Sequence, residues 1–115
     1  MIPNNFRGEF SVPVNGKFYN GAFTLNAIRI FCKERNIKWK DLNEALQGDP
    51  LDAIPSLAYF GVKSEFNKKG KAFNLKEDQF VANVLDDTEA FQAISDALMK
   101  AFDVDDDDKI ETKGN

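Results

Sequence analysis

Phe10-Ser11-Val12-Pro13-Val14-Asn15-Gly16-Lys17-Phe18-Tyr19-Asn20-Gly21-Ala22-Phe23-Thr24-Leu25-Asn26-Ala27-Ile28-Arg29-Ile30-Phe31-Cys32 changes its apolar period once, near residue 23, and that change decides the fold. Before it, Phe10, Val12 and Val14 alternate with Glu9, Ser11 and Pro13, the period of a strand with one buried face. Asn15-Gly16 then supplies the two residues that a type I′ turn needs, because both central positions take positive φ. Lys17-Phe18-Tyr19 reads as a short return strand closed by Asn20-Gly21, so a hairpin is expected over about 9–20. Pro13 has no amide to donate, which makes its strand an edge.

Past residue 23 the spacing becomes three and four. Thr24 is a fitting N-cap, and Leu25, Ile28, Phe31 and Cys32 follow as an apolar stripe. The helix is expected to stop near Asn36. A second, shorter one covers about Lys40 to Leu46 and ends at Gly48. Asp49-Pro50-Leu51-Asp52 has the form of a helix start, with a capping acid, Pro in the first turn and a second acid behind it. Leu51, Ile54, Leu57, Ala58 and Val62 continue that stripe, while Pro55 is expected to kink the first turn or delay the start. Asn74-Leu75-Lys76-Glu77 reads as a capping box with Asn in the cap position, opening a helix with Phe80, Val81, Val84 and Leu85. Asp86-Asp87-Thr88-Glu89 breaks and restarts the chain, and Phe91, Ile94, Leu98 and Phe102 form a last stripe with Met99 beside it.

The fold expected is therefore mainly α (α+β): an N-terminal hairpin, a bundle of about four to five helices over one domain spanning 1–102, and a tail. Residues 103–115 open with Asp103-Val104-Asp105-Asp106-Asp107-Asp108-Lys109, from which no core can form, and read as a disordered acidic tail. Asp105–Lys109 also matches a sequence used as an engineered protease site, but sequence of natural character continues beyond it.

Composition narrows function by exclusion. The 115 residues contain no histidine and one cysteine, Cys32, so neither a Ser-His-Asp nor a Cys-His machine of the usual build is available, nor a Cys/His zinc site. No disulfide can form within the chain, which suits a reducing compartment. No apolar run approaches the roughly 18 residues of a membrane span, and the first residues lack the charged and apolar regions of a signal peptide. A cytoplasmic protein working without cofactor, metal or membrane is expected. From Asp103 onward the acids fail the calcium-loop pattern, since Asp108 stands where Gly is needed and Gly114 where Glu is needed.

Charge is unevenly spread. Residues 1–73 hold 11 basic and 7 acidic side chains (+4), and residues 74–115 hold 4 basic and 12 acidic (−8), summing to the net −4. Such a chain can present its acidic end to a basic partner or to a copy of itself. A small regulatory or nucleic-acid-binding helical protein is the alternative reading. Arg29, Lys33 and Lys40 do not fall on one recognition helix, however, and the acidic end would compete with DNA, so no nucleic acid is expected as partner. Eleven phenylalanines point to an aromatic core with some rings left over for contacts. The candidate partner-binding residues are Tyr59, Phe60, Val62 and Phe66 on one helix, with Trp39 in the turn between two short ones.

The order of these pieces resembles the tail assembly chaperones of long-tailed, siphovirus-like bacteriophages and prophages. Three stretches carry the likeness: Val14–Tyr19 with Ala22–Ile28, a strand and turn running into the first helix; Phe31–Ile37; and Leu57-Ala58-Tyr59-Phe60-Gly61-Val62-Lys63, followed by the basic break Lys68–Lys71 and Phe73-Asn74-Leu75. Together they span about 12–102. The resemblance implies a non-enzymatic factor that binds the tape measure protein, keeps its apolar helices in solution and helps recruit tail tube subunits. It further implies a protein of the bacterial host cytoplasm that is not retained in the mature virion and that can form homo-oligomers. The dozen extra N-terminal residues and the high phenylalanine content depart from the family's lean pattern.

Overall fold

A computed structural model of the chain describes the backbone of residues 8–113 and the side chains of residues 8–101. The hairpin pairs β1 (Glu9–Val14) with β2 (Lys17–Ala22), in antiparallel register from Val14↔Lys17 out to Glu9↔Ala22. Asn15 and Gly16 carry φ of 54° and 82°, the positive pair that the two-residue turn demands. A two-residue loop makes Val14 and Lys17 a hydrogen-bonded pair, so the next pair, Pro13↔Phe18, is a non-bonded one. Pro13 therefore gives up no ladder bond, and β1 stays an edge. β2 runs two residues beyond the expected end, through Gly21 and Ala22. Glycine is needed there, because a Cβ on Gly21 would lie 2.6 Å from the Phe10 ring and 2.8 Å from Val62.

Helix α1 (Leu25–Arg35) begins at Thr24, whose Oγ1 accepts from the Ala27 amide at 3.1 Å, and ends at Asn36 in the left-handed region. A 3-10 turn (Trp39–Asp41) leads into α2 (Leu42–Gly48). Helix α3 runs Pro50–Lys68 without a break. Pro55 neither delays its start nor ends it, because in the second turn the ring costs a single backbone bond while burying fully among core side chains. Asp49 caps with its backbone, its carbonyl accepting from Asp52 and Ala53, and not with the expected side chain.

The N-cap of helix α4 (Glu77–Leu85) is Lys76, two residues later than the expected Asn74. Tyr59 explains the delay: its hydroxyl donates to the Leu75 carbonyl at 2.9 Å and ties this stretch down outside the helix. Gln79 then accepts from the Lys76 amide at 3.4 Å. Helix α5 (Thr88–Lys113) is opened by the Asp87 carboxylate, which accepts from the amides of Glu89 and Ala90. The acidic tail expected over 103–115 lies outside the residues whose side chains are described.

One core unites these elements. Helix α3 is its centre, touching β2, α1, α2, α4 and α5, while β1 lies on α5. Phe31, Phe80, Leu57, Ile94, Val12, Val14, Val62 and Val84 are wholly buried in it, each contributing about 1.5–3 kcal/mol of apolar burial. Gly61 lets α3 approach the hairpin backbone: a Cβ there would sit 2.7 Å from the Ala22 carbonyl oxygen.

Candidate functional site

The five aromatic and aliphatic residues read as a contact surface do not form one. Tyr59, Phe60 and Val62 are core residues of α3, all less than a tenth exposed. Phe60 packs edge-on against Phe31, with ring centres 6.4 Å apart, and Tyr59 meets Phe60, Phe73 and Phe80. Phe66 is half-buried and closes a cluster with Tyr19 and Phe73. Helix α3 is surrounded by β2, α1, α2, α4 and α5, so its aromatic run has solvent on no broad side. Trp39 alone of the five stands out, at 64% exposed.

A different set surrounds Trp39. Leu25, Arg29 and Cys32 project from one face of α1, at spacings of four and three residues, and with Trp39 they line a shallow groove of about 360 Å³. Leu25 was expected in the core stripe. Instead it is 75% exposed, because the face that α1 turns to α3 is Ala27, Ile28 and Phe31. Leu51 deviates in the same way at the start of α3, where Ala53 and Leu57 take the inward positions. The sequence does carry a signal for the groove: α1 has apolar residues on two faces, and only one can meet α3. Burial pushes the Cys32 thiol up, away from thiolate chemistry.

Arg29 gives the groove a cationic side. The Arg29 guanidinium donates to the Asn26 side-chain oxygen, Oδ1, at 3.1 and 3.3 Å. Lys33 stands one turn further along α1, and Lys38 and Lys40 flank Trp39; all three are exposed. None of these four cations has an ion-pair partner among the described residues. Comparison with protein-family models, with curated proteins and with solved structures finds no match for the chain.

The other polar features tie the fold together. Arg35 reaches Asp52 at 2.7 Å and Glu77 at 3.5 Å while its guanidinium carbon lies 5.5 Å above the Phe31 ring, joining α1, α3 and α4. The hydrogen bond to Asp52, more than any other influence, pushes the Arg35 guanidinium further toward its charged form. Ser56, fully buried in α3, donates to Glu77. A second cleft of about 500 Å³ lies between the hairpin and the end of α3, walled by Glu9, Asn20, Glu65 and Lys69. Acid and base are mixed there, which favours no ligand of one charge. Among the described residues, no three of His, Cys, Asp and Glu converge on a metal-sized site, and no helix is long and apolar enough to cross a membrane.

Proposed function

We propose that the chain is a non-enzymatic phage tail assembly chaperone of the host cytoplasm, and that the Leu25–Trp39 groove is where it holds the tape measure protein. The observation that carries this reading is the pairing of Leu25 and Trp39, 75% and 64% exposed, across one groove in a chain whose core is complete without them. Large apolar side chains left in water contribute little to folding; their burial is available to a complex. Tryptophan and arginine together are the side chains that most often anchor protein interfaces. An amphipathic helix laid along α1 would bury both apolar groups and bring its acidic flank to Arg29, Lys33 and Lys40, the helix-in-groove mode of recognition. A long, largely helical partner offers many such segments in succession, so several copies can line up along it. Recruitment of tail tube subunits falls to the remaining surface.

Co-expression with a tape measure protein of the same phage or prophage tests this. The parent chain should bring the partner into the soluble fraction and co-elute with it. Leu25→Asp and Trp39→Ala should each lose co-elution while keeping the parent's thermal midpoint within a few degrees. A tape measure protein equally soluble alone, with nothing co-eluting, would remove the proposal.

A further inference from the structure

We propose that the outer edge of β2 is a second docking site, separate from the groove, and that it takes an extended acidic peptide segment as a third, antiparallel strand.

Backbone geometry is the first ground. The register makes Val14↔Lys17, Val12↔Tyr19 and Phe10↔Gly21 the hydrogen-bonded pairs. The N–H and C=O groups of Phe18 and Asn20 therefore point away from β1, and none of the four makes a backbone bond among the described residues. Both residues are exposed, Phe18 to 73%. Ala22, the next outward residue, is closed off by α3 at Gly61. β1 offers no equivalent edge, since Pro13 has no donor and the strand lies on α5.

Shape is the second. β2 and the end of α3 enclose a notch of about 130 Å³ beside this edge, lined in part by Tyr19 and Phe66. That volume is comparable with cavities that take a benzene ring. Side chains of an added strand alternate between faces, so the residue opposite Tyr19 shares its face and meets the notch. An aliphatic side chain suits that position.

Charge names the rest of the occupant. The wider cleft over the hairpin is mixed because Glu9 joins its wall. At the β2 edge the balance is cationic. Glu65 lies 3.5 Å from Lys68, whereas Lys17, Lys69 and Lys71 are exposed and have no ion-pair partner among the described residues. Lys17 is on the Tyr19 face, so an acid directly opposite pairs with it across strands. An acid opposite Gly21 comes beside Lys69, which walls the same cleft as Gly21. A second copy's β2 would instead bring three more lysines to this edge, and like charges oppose that pairing.

Hydrogen exchange at the Phe18 and Asn20 amides, followed by NMR on the full chain, reads the edge directly. The probe is the blocked peptide acetyl-Glu-Thr-Val-Thr-Glu-amide. Both amides should exchange freely in the chain alone. The dissociation constant should be on the order of 1 mM, as suits five residues, and at about ten times that concentration both amides should slow about tenfold. The basic counterpart, acetyl-Lys-Thr-Val-Thr-Lys-amide, should bind about tenfold more weakly, and Lys69→Glu with Lys71→Glu should abolish that preference. Methylating the two threonine nitrogens of the acidic peptide should remove the protection without touching the protein. Phe18→Pro should do the same and keep the hairpin, because position 18, like Pro13 opposite it, gives no amide to the ladder. Protection that is absent, survives methylation, or is equal for acidic and basic peptides overturns the proposal. So does slow exchange at either amide in the chain alone; slowing that grows with protein concentration would place a second copy on the edge. The edge shares no residue with the Leu25–Trp39 groove and no tape measure protein enters these measurements, so the two proposals stand or fall separately.

Discussion

Gly61 sits where backbone meets backbone, and its hydrogen is all that the Ala22 carbonyl leaves room for. Gly61→Ala should lower stability by about 1–3 kcal/mol, the range for overpacking a tight contact, despite the better helix propensity of alanine; urea unfolding checks it. Tyr59 carries a prediction about pH. Burial, and after it the Glu77 carboxylate, pushes its phenol above the ordinary tyrosine value. The unfolded chain then releases this proton first, so the stability Tyr59 provides is complete below about pH 10 and is lost as pH rises through the folded-state value. Stability measured from pH 8 upward should fall more steeply in the parent than in Tyr59→Phe. The phenylalanine variant should in turn be weaker at neutral pH, because the Leu75 carbonyl loses its donor. At this scale the sequence was legible where a residue has one local partner, as Thr24, Asn36 and the Asn15-Gly16 turn do. It was not legible for Gly61 or Tyr59, whose partners are 39 and 16 residues away.

Elements were easier to locate than to orient. Period and punctuation placed the hairpin and all five helices, since each depends on neighbours within a turn or two. Which face of α1 turns inward is settled by α3, and the stripe written from sequence alone therefore mixed Ile28 and Phe31 with the outward Leu25. Asn74 failed as a cap for the same reason, a tertiary bond having claimed the carbonyl beside it. Arg35 is the main polar tie between α1, α3 and α4. Its ion pairs are part-exposed, so their worth is small: Arg35→Gln should cost about 1 kcal/mol from exposed pairs and the stacking on Phe31 together. Thermal melts in 0.1 and about 1 M salt should show that loss shrinking as the charges are screened.

For the molecule as a whole, the core and the candidate site respond to different substitutions. Leu25→Asp should leave the thermal midpoint within a few degrees and abolish partner capture, while Phe60→Ala should cost about 3–5 kcal/mol and lose capture only by unfolding. Side-by-side calorimetry and pull-down separate the two. The overall architecture could be read from the chain, but the contact surface could not: abundance of aromatics marks a core and a surface alike, and only the packing around α3 tells them apart. That packing also sets a timetable. β1 rests on α5, so the apolar face of Phe10, Val12 and Val14 is not fully covered until residues in the nineties have been synthesised. At ribosomal rates of about 5–20 residues per second, the hairpin is made about 4–16 s before its cover is complete. A protein proposed to shield another's apolar helices thus begins life with a greasy strand of its own in need of shelter, and slowing its translation should increase its dependence on the host's holding factors.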